Sequence, residues 1–475
     1  MFVTTGPSAE ESSAKGHAGA LKRELGLRDL VLTQIVFVVG GSWVGAAAKL
    51  GPSHLAYWLL AFLLFYIPQA AVVIYLNKLM PLEGGLYQWA KFGFNKFAGF
   101  MVAWNLWLLA ICVMALMALV VTTNLSYAIG ERAAWMPASR WFVSTISIAL
   151  MGSLVLVSIR GLALGKWIHN VGSLVTILTY GALIVLPFVS LARGDLKEYH
   201  PFTIAAPTMS ILGLNIFSKL AVGALSGFEY VAILAGETRA PARNVGRSVL
   251  LSAPVIALMF ILGTSSVLVF STDSNHIDLI GPVPQTLSIG FRSFGFVGMI
   301  VSVAILLLAA RAISVTSIFF SGTSRLPMVA GWDHLLPAWF TRLHARWKTP
   351  ANSILFVGAI TLVFALACLI GVGPQEAFQV ADNAAGIFYG IAYLVFFAIP
   401  LVGAAKIRGG APIWVRIAAV SGFLVTLVYI VFATFPIVDV VNRYWFAGKI
   451  IGVTVITNLI GIAIFAVGNR RAATS

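Results

Sequence analysis

Two short glycine-containing segments interrupt apolar stretches that are otherwise long enough to cross a membrane. The first is Gly40–Trp43 and the second is Ser226–Glu229. A membrane-spanning helix normally satisfies its own backbone hydrogen bonds, because the hydrocarbon core contains no water. An interruption frees N–H and C=O groups, which then need protein, water or a bound molecule as partners. Two such interruptions, at corresponding places in the two halves of a chain, predict a binding site for a small molecule.

The same glycines have a second interpretation, which is the close packing of helices. Gly41 and Gly45 are separated by four positions, and so are Gly223 and Gly227. Small residues at this spacing let membrane helices approach one another closely. Either interruption alone fits both interpretations. The pairing of the two, and the carboxyl group of Glu229 beside the second, favour a binding site.

The composition determines the class of protein that must position these segments. The chain has 475 residues, of which 60% are hydrophobic and 10% are charged, whereas a soluble domain has about 25% charged residues. Apolar stretches of about 20 residues, the length that crosses a bilayer, recur along the chain. We therefore predict an all-α polytopic membrane protein with 12 transmembrane helices. Their approximate cores are residues 30–48, 55–76, 97–121, 142–157, 171–191, 211–234, 249–270, 297–320, 354–370, 384–404, 417–433 and 450–467.

The basic residues predict how the chain is oriented. Most of the 31 Lys and Arg residues lie on the side of the N-terminal tail, which places both termini in the cytoplasm by the positive-inside rule. The opposite side holds Lys49, Arg132, Arg140, Arg193, Lys197, Arg292, Arg443 and Lys449. We expect a cell (plasma or inner) membrane protein with cytosolic tails at residues 1–26, which we expect to be disordered, and 470–475. The stretch Trp332–Phe340, in a basic loop, predicts a helix on the inner membrane surface.

Several classes of function lack their sequence signatures. The chain has no G-x-S-x-G, H-E-x-x-H, Walker A or G-x-G-x-x-G motif, so we predict that it is not an enzyme and uses no metal or cofactor. Membrane topology accounts for the net charge of +15, so we expect no nucleic-acid partner. Cys112 and Cys368 lie in apolar stretches and indicate no disulfide framework. A channel remains an alternative, although channels favour rings of like charge or of carbonyl groups.

Three motifs follow one another along the chain. The first fits P-x-x-G-G-x-Y, the second is a broken G-F-E that leads into E-x-x-x-P-x-R-N, and the third is the loop after the eighth span. They lie at Pro81–Trp89, at Ser226–Glu229 with Glu237 and Pro241–Asn244, and at Ser324–Leu326 with Asp333, Leu336, Pro337, Thr349 and Pro350. In this order they resemble the motifs of the amino acid permeases of the amino acid–polyamine–organocation (APC) superfamily, and the resemblance covers essentially the whole chain.

The resemblance implies both a fold and a function. The fold is a transporter domain at residues 27–469, built from two inverted five-helix repeats and two extra helices. The repeats span about residues 27–192 and 207–404, and the extra helices about 412–469; the two interruptions fall in the first helix of each repeat. The implied function is secondary active transport of amino acids by alternating access, through proton symport or substrate exchange. A polyamine or organic-cation permease is the alternative within this class.

The ends of interrupted helices can bind a zwitterion. Their N-termini present free N–H groups and partial positive charge to a carboxylate, while their C-termini present carbonyl groups to an ammonium group. Relatives usually have Gly-Ser-Gly and then an apolar pair at the first interruption, whereas here Trp43 follows Gly-Gly-Ser. In the third span, Asn105 either contacts substrate or hydrogen-bonds a neighbouring helix. The candidate substrate-binding residues are Gly40, Gly41, Ser42, Trp43, Asn105, Ser226, Gly227 and Phe228, where Phe228 matches the aromatic residue that covers the substrate in the family.

Other residues are candidates for coupling or gating. Glu229 either links the second interruption to the inner gate, through a fixed ion pair or by exchanging a proton, or only stabilises the half-helix that it begins. Arg311 either replaces the sodium ion of sodium-coupled relatives, balances Glu229, or has a structural role. Lys219 lines an outer vestibule or reaches the outer headgroups. The remaining candidates are Thr176, which stands where some proton-coupled relatives have a lysine, and the aromatic residues Tyr389 and Tyr393.

Asp382, near the start of the tenth span, lies either in the vestibule or in the loop before this span, and we favour the loop. The predicted partners are a small-molecule substrate, the lipid bilayer and protons as a candidate coupling ion. The sequence makes no prediction about oligomeric state.

Overall fold

The computed structural model describes residues 26–80, 85–160, 165–229, 238–271, 276–292, 295–324, 327, 337–403 and 410–474. The regular elements within these ranges are helical. The longer helices are α1 Leu27–Val38, α2 Gly41–Ala48, α3 Gly51–Leu79, α4 Leu86–Gly93, α5 Lys96–Ile129, α6 Arg140–Ile159, α7 Gly165–Ala192, α8 Ile211–Ala224, α9 Pro241–Phe270, α10 Pro282–Gly290, α11 Phe296–Thr323, α12 Ala351–Cys368, α13 Pro374–Gly403, α14 Ile413–Phe432 and α15 Arg443–Thr474.

Some sequence predictions fall outside the described residues. They concern the first 25 residues of the N-terminal tail, the Pro81–Gly84 part of the first motif, Glu237, Arg325, Leu326, Asp333 and Leu336. Most of the predicted surface helix is also outside, and Ala338–Thr341 form a short 3-10 helix.

The protein is a polytopic membrane protein. Within the described ranges, ten continuous helices are long and apolar enough to cross a membrane, namely α3, α5, α6, α7, α9 and α11–α15. Large apolar side chains such as those of Leu63, Ile67 and Val363 are exposed on these helices, as expected where helices face lipid. The predicted first and sixth spans are not among the ten, because each of them is interrupted.

The first interruption separates α1 from α2. Helix α1 ends at Val38, and the next two residues have extended backbone, with φ/ψ of −75°/96° at Val39 and −103°/135° at Gly40. Helix α2 then begins at Gly41. The interruption therefore leaves the last carbonyl groups of α1 and the first N–H groups of α2 without partners inside their own helices.

The second interruption follows α8. The last turn of α8, Lys219–Ala224, is a π-helix, a local widening that is frequent at functional sites. Ser226 and Gly227 are not helical, and helical geometry resumes at Phe228 and Glu229. Gly227 has a φ of +132°, which favours glycine because it has no Cβ.

Helix α5 forms the centre of the molecule. It has 34 residues, a length of about 51 Å at the α-helical rise, and it packs most extensively against α11 and α13. Asn95 caps its first turn by accepting a hydrogen bond from the Ala98 N–H at 2.8 Å. Helix α9 packs against α1 and α2. These contacts hold both sides of the first interruption against continuous helices.

Two helices that the sequence analysis did not predict lie between spans. Helix α4 occupies the connection between α3 and α5, for which the sequence analysis predicted no helix. Helix α10 follows α9 and packs against α2. At Gly45 of α2, an added Cβ would lie 2.7 Å from the Cβ of Pro282, so this contact needs glycine. Both helices have fewer than ten residues, too few to appear among the membrane-length apolar stretches.

Hydrogen bonds to Asp278 fasten the segment before α10. Its Oδ1 atom accepts from the N–H groups of Ile280 and Gly281 at 2.8 and 3.2 Å. The same atom accepts from Gln375 Nε2 at 2.6 Å, and Oδ2 accepts from the Tyr127 hydroxyl at 3.0 Å. The segment thus joins the end of α5 to the beginning of α13.

Candidate functional site

A cavity of about 320 Å³ lies between the two interruptions. This volume is at the lower end of the range typical of small-molecule sites. The walls come from both interruptions, from α5, α7, α11 and α13, and from residues 280–284 at the beginning of α10. The cavity is therefore enclosed by segments that are far apart in the sequence.

The first interruption contributes a helix N-terminus to the cavity. Gly40, Gly41, Ser42 and Trp43 all line it. The last three are the first residues of α2, whose N–H groups have no acceptor within the helix. Helix N-termini attract anions, because these N–H groups and the helix dipole both present positive charge. This end of the cavity is suited to a carboxylate.

The indole ring of Trp43 connects the two interruptions. A Cβ at Gly223 would lie 2.5 Å from Trp43 Cη2, and a Cβ at Gly40 would lie 2.9 Å from Trp43 Cδ1. The ring therefore lies against two glycines, one from each interruption. This contact explains why the chain accommodates a large aromatic residue directly after Gly41 and Ser42.

The second interruption divides its residues between the cavity and the protein interior. Ser226 lines the cavity. At Gly227, an added Cβ would lie 3.1 Å from Phe37 and Val38 of α1, so this glycine permits close contact between the interruptions. The sequence analysis assigned Phe228 to the substrate, but its ring stacks on Tyr66 of α3 with the centroids 4.6 Å apart. It is fully buried and lies away from the cavity.

Glu229 is buried in a cluster of hydrogen-bond donors directly behind the cavity. The hydroxyl groups of Tyr389 and Tyr393 both donate to its carboxylate. Gln69 Nε2 of α3 donates to Glu229 Oε2 at 3.2 Å, and the Gly227 N–H donates to the Tyr393 hydroxyl at 3.2 Å. Tyr389 also lines the cavity. A single tyrosine thus separates the carboxylate from the binding space.

Arg311 and Thr176 also reach the cavity. Arg311 of α11 and Thr176 and Tyr180 of α7 line it, and Arg311 interacts electrostatically with Tyr180. Helix α11 meets α1 through Phe319 and Phe37, whose ring centroids are 6.2 Å apart. The structure therefore places Arg311 on the cavity wall, on a helix that packs against α1 near the first interruption.

Two candidate residues lie outside the cavity wall. Asn105 Nδ2 donates to Met101 O at 2.9 Å and to Asn458 Oδ1 of α15 at 2.8 Å. This placement favours the second interpretation of Asn105, a hydrogen bond between helices. Lys219 is also buried, at 2% exposure, and its Nζ donates to Asn383 Oδ1 of α13. It therefore does not extend to the headgroups.

The prediction for Asp382 is wrong. Asp382 lies within α13 and lines the cavity, because α13 begins at Pro374, nearly three turns before the predicted span at residues 384–404. Tyr429 of α14 lines the cavity as well, and the sequence analysis missed it. The sequence contained a signal for Asp382, because the polar pair Asp382 and Asn383 stands at the edge of an apolar stretch. Tyr429 is one of many aromatic residues and gave no such signal.

Comparison with known proteins shows similarity along nearly the whole chain. The sequence profile of the amino acid permease family matches residues 30–469, which include both interruptions. An uncharacterized transporter of Legionella pneumophila is 25% identical over 393 residues, or 82% of each chain. A low-affinity putrescine importer of Escherichia coli is 24% identical over 319 residues, or 66% of each chain. A probable agmatine/putrescine antiporter of Lactococcus lactis is 20% identical over 356 residues, 74% of this chain and 73% of the relative.

The Glu229 cluster leads to a prediction about stability. Replacing Glu229 with Ala leaves three buried donors without their acceptor, at a cost of roughly 1–3 kcal/mol for each unsatisfied group. We expect Glu229→Ala to lower the apparent melting temperature of the purified protein in detergent. Glu229→Gln keeps one carbonyl oxygen and should lower it less. An alanine variant as stable as the parent would contradict a stabilising role for this cluster.

Proposed function

Because the chain belongs to the amino acid permease family, we propose that this membrane transporter is a secondary active carrier of amino acids that works by alternating access. One observation carries this proposal: the N-terminus of α2 and the residues that follow the C-terminus of α8 line the same cavity. A zwitterion requires both kinds of helix end, one for its carboxylate and one for its ammonium group.

The orientation of the substrate follows from the helix ends. The α-carboxylate binds the N–H groups of Gly41, Ser42 and Trp43 at the first turn of α2. The α-ammonium group binds carbonyl oxygens at the ends of α1 and α8. The substrate side chain then extends into the remaining space between the apolar wall of α5, where Leu109 and Val113 line the cavity, and the wall of α13. Binding of this kind depends on backbone atoms, so it is compatible with many side chains.

The proposal includes an architecture and an orientation. The ten continuous helices and the two interrupted spans make twelve, arranged as two inverted repeats at about residues 27–192 and 207–404 with two further helices at about 412–469. The interruptions support this division, because each lies in the first helix of its proposed repeat. The excess of Lys and Arg on one side supports cytoplasmic termini in a cell membrane.

A diamine carrier is the second candidate function. Asp382 is a carboxylate on the cavity wall, and two relatives are described as putrescine transporters. We favour amino acids because the N-terminus of α2 offers a carboxylate site that a diamine cannot use. Arg311 on the cavity wall also disfavours a substrate with two positive charges.

Counterflow tests the function directly. Proteoliposomes preloaded with unlabelled amino acid should accumulate labelled amino acid against its gradient, because an alternating-access carrier exchanges substrate across the membrane. A thermal-shift screen against amino acids and polyamines identifies the substrate, since a ligand that binds the folded state stabilises it.

Gly41→Leu should abolish counterflow by filling the α2 N-terminus. Gly152→Leu on α6, where an added Cβ meets no atom within 4 Å, is the matched control.

Two outcomes would refute parts of this proposal. Linear, non-saturable flux without counterflow would indicate a channel. Parental counterflow in the Gly41→Leu variant would show that the first interruption is only a packing feature.

A second prediction concerns the coupling ion. We propose that Arg311 supplies a fixed positive charge beside the first interruption, in place of the sodium ion that other carriers hold between their first and eighth spans. Uptake should then be unchanged when choline replaces sodium, while it still responds to a proton gradient or to internal substrate. A strict requirement for sodium would rule out this role of Arg311.

A third prediction concerns Glu229 as a coupling group. Gln69 of α3 and Tyr389 and Tyr393 of α13 face its carboxylate, and Tyr389 connects it to the cavity. We propose that Glu229 exchanges a proton when the substrate site changes its accessibility. Glu229→Gln removes the exchangeable proton and keeps the size, so it should flatten the pH dependence of net uptake while substrate still binds. An unchanged pH profile with unchanged turnover would leave Glu229 only the role of beginning its half-helix.

A further inference from the structure

A buried charge pair lies at the α13 wall of the cavity. Asp382 lines the cavity, and the next residue, Asn383, is buried behind it. Lys219 comes from the π-helical end of α8, and its Nζ donates to Asn383 Oδ1. Lys219 and Asp382 attract one another electrostatically. The carboxylate is thus on the cavity side and the ammonium group is on the protein side.

The position of Lys219 is costly unless its charge is compensated. A cation at membrane depth is unfavourable and normally pairs with an anion or faces a cavity. Lys219 is 2% exposed and is absent from the cavity wall, so water or lipid headgroups do not compensate it. Its compensation comes from Asp382 and from the amide oxygen of Asn383. The same interaction neutralises Asp382 from behind.

Tyr429 completes the polar surface around Asp382. A Cβ at Gly386, one turn after Asp382, would lie 1.6 Å from the Tyr429 hydroxyl oxygen. Only glycine leaves space for this hydroxyl group, which reaches the cavity from α14 and lies within electrostatic range of Asp382. The α13 wall therefore presents a carboxylate and a hydroxyl group, with a lysine charge held behind them.

We propose that the Lys219–Asp382 pair is a charge filter that makes the carrier select amino acids with neutral side chains. The inference rests on the proposed function and specifies its substrate class. An incoming cationic side chain meets a carboxylate that is already balanced by Lys219, and it is repelled by Lys219 and by Arg311 on the cavity wall. A neutral side chain is not repelled. Without Lys219, Asp382 would attract the ammonium group of a cationic substrate side chain.

The test compares two ligands that differ mainly in one ammonium group. Lysine and norleucine share an unbranched four-carbon side chain, to which only lysine adds a terminal ammonium group. We measure their apparent dissociation constants by thermal shift and confirm them by competition in counterflow. The purified parent, Lys219→Met, Lys219→Arg, Asp382→Asn and the Lys219→Met/Asp382→Asn double variant are compared, each after size-exclusion chromatography to verify folding.

Lys219→Met and Asp382→Asn should change the affinity for lysine relative to norleucine in opposite directions. Lys219→Met should raise the affinity for lysine relative to norleucine by about tenfold or more, because a nearby unscreened carboxylate attracts a cation strongly in a partly dry site. Lys219→Arg keeps the charge and should keep the parental ratio. Asp382→Asn should lower the lysine-to-norleucine ratio and improve binding of glutamate relative to glutamine. The double variant should return towards the parental ratio.

The outcomes separate the filter from the proposed function. If the parent binds neutral amino acids and folded Lys219→Met keeps the parental ratio, the filter is wrong while the carrier function stands. If Lys219→Met does not fold, Asp382→Asn decides, and a parental lysine-to-norleucine ratio in that variant overturns the filter. A parent that binds putrescine or lysine more tightly than any neutral amino acid contradicts the filter. A parent that binds putrescine and no amino acid contradicts the proposed function as well.

Discussion

The structure depends on one constraint, which is that backbone polar groups inside a membrane need partners within the protein. In the described part of the chain, ten continuous helices are long enough to meet this constraint within themselves. The two interrupted segments do not meet it, and residues of both line a common cavity. The packing of the other helices can be understood as support for this exception. Helices α9 and α10 pack on α2, and α5 with α7, α11 and α13 contributes to the wall of the cavity.

Glycine makes close contact between the interruptions possible. Gly223 accommodates the indole of Trp43, Gly227 accommodates Phe37 and Val38, and Gly45 accommodates Pro282. Gly223 links packing to the shape of the cavity, because it accommodates the indole ring and also lines the cavity. A side chain at Gly223 or Gly227 would push apart the segments around the two interruptions, and one at Gly45 would push α2 away from α10.

Two groups of buried polar side chains in the described residues contact α13. Tyr389 and Tyr393 on this helix bind the carboxylate of Glu229, while Asn383 binds Lys219 and Asp382 faces the cavity. The two groups are about two turns apart on one helix. A movement of α13 would therefore alter the surroundings of both, which provides a physical link between the contents of the cavity and the hydrogen bonds of Glu229.

The sequence alone determined the membrane class, the positions of both interruptions and the resemblance to amino acid permeases. These properties follow from local composition, because an apolar stretch, a glycine pair and a short motif can each be recognised without knowledge of their neighbours. Only the tertiary structure decided which polar side chains face the cavity. Asp382 lies on its wall, whereas Asn105 bonds to Asn458, and Phe228 stacks on Tyr66. The rotation of each helix about its axis sets these directions, and in a chain apolar on nearly every face that rotation depends on packing between helices and not on local periodicity.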